Sequence, residues 1–112
     1  MAALTPTRPT AAGVAWSPQA VSSSDTISSS VLGSRGAILV VTNGGGSDDS
    51  VEVSDAGVTP AGNPADTTPV NVAAGTSVAI RISPRAVDPS TGVVTVTHSQ
   101  TSDVTYVLVP VE

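Results

Sequence analysis

The sequence predicts an all-β fold: a single small antiparallel β-sandwich, or a barrel-like variant of it, with an extended N-terminal arm. Three observations carry this. Valine and isoleucine alternate with other residues at 51–53, 70–72 and 78–82, beside the apolar run 37–42, and a period of two marks a strand with one buried face. Clusters of Gly, Pro, Asn, Asp and Ser separate these stretches, as turns require. No segment repeats its apolar residues at helical spacing, so a layer of helix would have no face to bury. A chain of 112 residues is sized for one domain. We divide it into an arm, 1–13, and a β-sandwich body, 14–112.

The arm contains Pro6 and Pro9, which fix φ and push Thr5 and Arg8 towards extended conformations. Two readings are open: a frayed terminus, or a strap laid on a neighbouring molecule. In the second, Thr5, Pro6, Thr7, Arg8 and Pro9 form the contact. The threonines follow a strand edge, and Arg8, the segment's only charge, meets a carboxylate. Trp16 stands where arm meets body, and a sole tryptophan there is a plug for the core or for an interface.

Residues 14–21 read as an irregular strand broken at Pro18, 22–25 as a turn, and 26–32 as a strand carrying Ile27, Val31 and Leu32. Gly33 to Gly36 turns the chain into its longest apolar run, 37–43, which Gly44, Gly45 and Gly46 stop. Ile38 and Val40 share one face of that strand; Ala37, Leu39 and Val41 share the other. A strand apolar on both faces is central in its sheet or covered by another subunit. Residues 44–49 form a loop. Residues 50–54 follow as a strand with Val51 and Val53 inward and Glu52 in water, paired with 37–43 as a hairpin.

The stretch 55–68 is the longest without a strand pattern, and long loops in small domains are functional or mobile. Val70 and Val72 alternate with Asn71, and 73–76 turns. Val78, Ile80 and Ile82 mark a one-sided strand. Pro84 to Gly92 is a loop with Arg85 near its start. Val94, Val96 and His98 share one face of the next strand. After a turn at 100–103 the last strand, 104–109, ends at Pro110.

Composition narrows the function. The net charge is −5, with no lysine, and Arg8, Arg35, Arg81 and Arg85 form no run. Such a surface repels phosphate backbones, which argues against nucleic acid. There is no cysteine, hence no disulfide or thiolate chemistry. Neither a signal-peptide pattern nor a membrane-length apolar run is present, so we expect a soluble protein made in the cytosol. Trp16 and Tyr106 are the only aromatic residues. The core must therefore be small and aliphatic, and partners can supply further stability.

No chemistry-bearing motif stands out. His98 is the sole histidine; serines and aspartates abound, but no Gly-x-Ser-x-Gly elbow accompanies them. A packed or half-exposed strand residue is the reading for His98. Gly44-Gly45-Gly46 lacks the lysine and helix of a phosphate loop. Asp48, Asp49, Asp55 and Asp66 are scattered, without the spacing of a calcium loop, and read as solvated loop acids. We expect no enzyme activity, no metal and no cofactor. Arg81 and Arg85 either bind carboxylates of a neighbouring subunit or solubilise a strand and its exit.

The arm Leu4-Thr5-Pro6-Thr7 leads on to a strand ending Thr42-Asn43-Gly44-Gly45-Gly46. Val72-Ala73-Ala74-Gly75-Thr76, Gly92-Val93-Val94-Thr95-Val96-Thr97-His98-Ser99 and a valine-rich last strand follow. From Gly33 onward this succession resembles small capsid-accessory proteins of tailed bacteriophages of actinobacterial hosts, above all their head decoration (cement) proteins. The resemblance implies a protein made in the host cytoplasm that binds the outer surface of the major capsid protein lattice, often as a homotrimer, and stabilises the head. Two other classes fit the composition: a head–tail connector or tail structural protein, and a surface-adhesion or carbohydrate-binding β-sandwich.

Overall fold

The structure is a computed structural model that describes residues 2–54 and 69–111. Its strands are β1 (Ala2–Ala3), β2 (Gln19–Ala20), β3 (Ser24–Ser28), β4 (Ala37–Asn43), β5 (Asp49–Val53), β6 (Val70–Val72), β7 (Ser77–Ile82), β8 (Val93–His98) and β9 (Val104–Pro110). One helical turn, α1 (Ser29–Leu32), follows β3, and a 3-10 turn covers Pro84–Ala86. The strands form two sheets, one in the order β1-β3-β8-β5-β6 and the other in the order β2-β9-β4-β7. All strand pairs are antiparallel except β1 with β3. The all-β sandwich expected from the alternating stretches is the fold observed.

The sheets pack face to face through their valines, leucines and isoleucines. Ile27, Leu39, Val41, Val51, Val72, Val94, Val96 and Leu108 are each 0% exposed. At roughly 1.5–3 kcal/mol for a fully buried Val, Leu or Ile side chain, this layer is the main favourable term in folding. Every predicted inward set holds its place: Val51 with Val53, Val78 with Ile80 and Ile82, Val94 with Val96 and His98.

The apolar run 37–43 is central in the four-stranded sheet, between β9 and β7. It does not pair with β5 as a hairpin. β5 belongs to the opposite sheet, between β8 and β6. Asn43 explains the crossing. Its side-chain oxygen accepts the Gly45 N–H (3.0 Å), and its amide nitrogen donates to the carbonyls of Ser47 (2.7 Å) and of Val72 in the other sheet (3.0 Å). The Gly44–Asp48 loop is thereby folded across the sandwich. Among the described residues only β5 and β6 are consecutive strands that pair; every other connection changes sheet.

Two boundaries differ from the expectation. The strand read at 26–32 begins at Ser24, in the stretch read as a turn, and stops at Ser28. The Ser28 hydroxyl accepts the Ser30 N–H (3.3 Å), and this local serine bonding favours a cap over further extension. The helical turn then delivers Leu32 to the core, 1% exposed. Of the strand read at 14–21, only Gln19 and Ala20 pair with β9. Further along β9 the edge is already taken: Pro6 bridges Leu108 in parallel, and the Thr7 N–H donates to the Leu108 carbonyl (2.7 Å).

Candidate functional site

Residues 2–7 run extended along this chain's own strands, from the edge of one sheet to the edge of the other. Ala2 and Ala3 pair with Asp25 and Thr26 of β3. The Leu4 N–H donates to the Thr26 carbonyl (2.8 Å), and the Leu4 side chain is buried. The Thr5 N–H donates to the Tyr106 hydroxyl (2.9 Å), giving the buried tyrosine's polar end its partner. Pro6 and Thr7 then reach β9. Thr5, Pro6 and Thr7 thus spend backbone groups on the body that carries them, whereas Arg8 and Pro9 lie in the exposed stretch that follows.

Trp16 is 58% exposed and Val14 49%. Trp16 does not plug the core. Arg81 is exposed on the outward face of β7, in register with Ile38 of β4. Arg85 is exposed in the Pro84–Ala86 turn.

The pairing registers assemble an outward surface on the four-stranded sheet. Val109, Ile38 and Arg81 form one row across β9, β4 and β7; Val107, Val40 and Ala79 form the next; Thr105, Thr42 and Ser77 form the third. In the third row the hydroxyls of Thr42 and Ser77 are 2.9 Å apart. The first two rows carry one charge between them. Ile38 is 38% exposed, and Val40 and Val109 are half-buried. Val107 is buried without joining the core cluster, as its outward direction requires. The alternation around β4 identifies this face in the sequence; its extension onto β7 and β9 needs the registers.

The polar groups inside the sandwich are fixed. The Asp49 carboxylate lies 2.7 Å from His98 Nδ1, and the two side chains are 0% and 1% exposed. Its other oxygen accepts the Gln100 N–H (3.0 Å). Asp49 was expected as a solvated loop acid. Instead it opens β5, on the same face as Val51, where the Val51–His98 register brings the ring alongside it. The signal was available: strict alternation, continued one step back from Val51, puts Asp49 inward.

Among the described residues no serine or threonine hydroxyl is hydrogen-bonded to the His98 ring. The pair fastens β8 to β5 and presents no surface to a substrate. Asp25 is likewise buried, accepting the Ser22 N–H (3.0 Å) and the Ser22 hydroxyl. Asp48 is exposed and accepts the Ala74 N–H (3.1 Å). Asp55 and Asp66 lie outside the described residues, as does the loop read at 55–68. Among the described residues no three His, Asp, Glu or Cys side chains gather where they would hold a metal ion.

A scan of known protein-family models and searches of curated proteins and of solved structures each find no match to this chain.

Proposed function

We propose that this chain is a head decoration (cement) protein of a tailed bacteriophage, docking on the outer surface of the major capsid protein lattice and stabilising it without enzymatic activity. The observation that carries the reading is the apolar outward face of the four-stranded sheet, with Ile38 and Ala79 exposed and Val40 and Val109 half-buried, all turned away from the core. A small aliphatic sandwich with such a face gains stability from covering it. The resemblance of the Gly33-onward segments to phage cement proteins supplies the partner. A homotrimer is the assembly proposed on the capsid, with Arg81 beside the apolar rows and Arg85 at the adjoining loop available for carboxylates of the neighbouring copy. The exposed segment from Arg8 to Trp16 supplies a second contact to the lattice.

Reconstitution on empty heads tests this. Val40→Asp is expected to leave a folded protein that occupies heads far less; unchanged occupancy would refute the docking face. Single copies at capsomer centres in a particle reconstruction would refute the trimer. One observation favours a second reading. An exposed tryptophan such as Trp16 is the side chain with which a carbohydrate-binding module stacks on sugar rings. Glycan binding by the isolated protein that is lost in Trp16→Ala would favour that alternative.

A further inference from the structure

Among the described residues the two sheets end in the edge strands β1, β6, β2 and β7. β1 and β2 have two residues each and β6 has three, whereas β7 has six, Ser77–Ile82. Short edge strands limit pairing with another chain, as do prolines, lysines and bulges. β7 contains no proline or lysine. It pairs with β4 residue for residue, from Ala37–Ile82 to Thr42–Ser77, without a bulge. Among the described residues it is the one regular edge that none of these devices blunts.

The hydrogen-bond alternation shows which backbone groups lie on that edge. In an antiparallel ladder every second residue directs both its N–H and its C=O to the same neighbour. Gly36, in line with β4, accepts the Val111 N–H (3.0 Å) in line with β9, so Ile38, Val40 and Thr42 bond to β9. Ala37, Leu39 and Val41 then bond to their β7 partners Ile82, Ile80 and Val78. The Asn43 N–H donates to the Thr76 carbonyl (3.0 Å) in the same phase. Ser77, Ala79 and Arg81 are left with their N–H and C=O groups directed away from β4, and all three residues are exposed. Between them Val78 and Ile80 pack against the core cluster yet are only half-buried.

We propose that in free solution β7 pairs with β7 of a second copy, antiparallel about a two-fold axis at Ala79, joining the two four-stranded sheets into one continuous sheet. The strand's own symmetry identifies this occupant. With Ala79 opposite Ala79 of the second copy, Ser77 stands opposite Arg81 and Val78 opposite Ile80, each twice. Ser77, Ala79 and Arg81 then all fall on hydrogen-bonded pairs, so the N–H and C=O groups of the edge find partners. The Val78–Ile80 pairs give the two half-buried side chains aliphatic neighbours. The two Arg81 side chains lie at opposite ends of the paired segment. A register that set them opposite each other would juxtapose like charges and pair fewer residues. Outside, the row Val107-Val40-Ala79 continues into its counterpart across the axis. A contact this small is weak and reversible. It concerns the free protein and does not rest on the capsid reading, whose homotrimer is the assembly on the lattice.

The test is analytical ultracentrifugation of the full chain over a concentration series, with amide hydrogen exchange followed by NMR at both ends of that series. A monomer–dimer equilibrium is expected. The amides of Ser77, Ala79 and Arg81 are expected to exchange freely in dilute protein and to gain protection in concentrated protein, while those of Val78, Ile80 and Ile82 are protected in both. Ala79→Pro removes an N–H that points away from β4, so it spares the β4 ladder. It is expected to raise the dimer dissociation constant about tenfold or more, because both bonds at the axis are lost. If that variant does not fold, Ala79→Lys sets two like charges opposite each other on the solvent side and is expected to weaken the dimer similarly. A protein that stays monomeric to millimolar concentration overturns the proposal. So does a trimer in free solution, a dimer in which those three amides gain no protection, or a dimer of unchanged strength in the folded variants.

Discussion

The two sheets bury their inward faces against each other in the same manner, yet their outward faces differ in chemistry. On the five-stranded sheet Thr26 stands opposite Thr95, Ser24 opposite Thr97, Glu52 opposite Thr97 and Ser50 opposite Asn71, with Val93 at one end. On the four-stranded sheet the corresponding positions are Ile38, Val40, Ala79, Val107 and Val109. Strand geometry is the same in both, and either surface would satisfy its backbone within the sheet. Hydroxyl groups on one side bond water at little cost, whereas branched aliphatic groups on the other gain by leaving water. One outward face is thus polar and the other largely aliphatic. The difference lies in what alternates with the core residues.

The comparison breaks first if the inward faces are not the source of stability. Leu39→Ala, on the buried side of β4, is expected to cost about 2–5 kcal/mol, read from chemical denaturation. A cost under about 1 kcal/mol would show that Leu39 is not packed between the sheets.

The next largest effect concerns the polar tie within the five-stranded sheet. Asp49→Ala removes the partners of His98 Nδ1 and of the Gln100 N–H, and is expected to cost about 1.5–3 kcal/mol. Asp49→Asn keeps an oxygen for Gln100 and should lose less. Equal loss in both variants would assign the whole effect to the histidine contact.

A reciprocal exchange sharpens the contrast between the outward faces. Val40→Thr and Thr95→Val each change stability by only about 0.5 kcal/mol, as outward positions do. Their effects on self-association or capsid occupancy should be opposite: weaker for Val40→Thr, unchanged or stickier for Thr95→Val. The same direction in both would mean that the faces are equivalent.

The smallest effect lies in the loop before β8. The Ser90 hydroxyl (2.7 Å) and then the Ser90 N–H (2.9 Å) donate to the Asp88 carboxylate, holding its pKa below the ordinary aspartate value. A depressed folded pKa means that this contribution to stability is present above the unfolded pKa. It is lost as pH falls through the folded one. Asp88 is solvent-facing, so the expected readout is the carboxyl titration by NMR, which should move up in Ser90→Ala. No upward movement would remove the hydroxyl as the cause.

By itself the sequence determined the fold class and the facing of most side chains. Alternation fixes which residues share a face, because successive Cβ atoms of a strand point to opposite sides. Val78, Ile80 and Ile82, or Val94, Val96 and His98, needed nothing more. It also marked β4 as apolar on both faces. Tertiary structure decided which strand lies beside which. A short turn serves equally to fold back in one sheet or to cross to the other, and periodicity carries no information on that choice. The Asn43 side chain, bonded to Ser47 on one hand and Val72 on the other, ties the loop across the sandwich, and pairing with β8 and β6 holds β5 in the opposite sheet. The Asp49–His98 contact has the same origin. It joins residues far apart in the chain whose approach depends on strand pairing, and a linear reading of local pattern cannot supply that pairing.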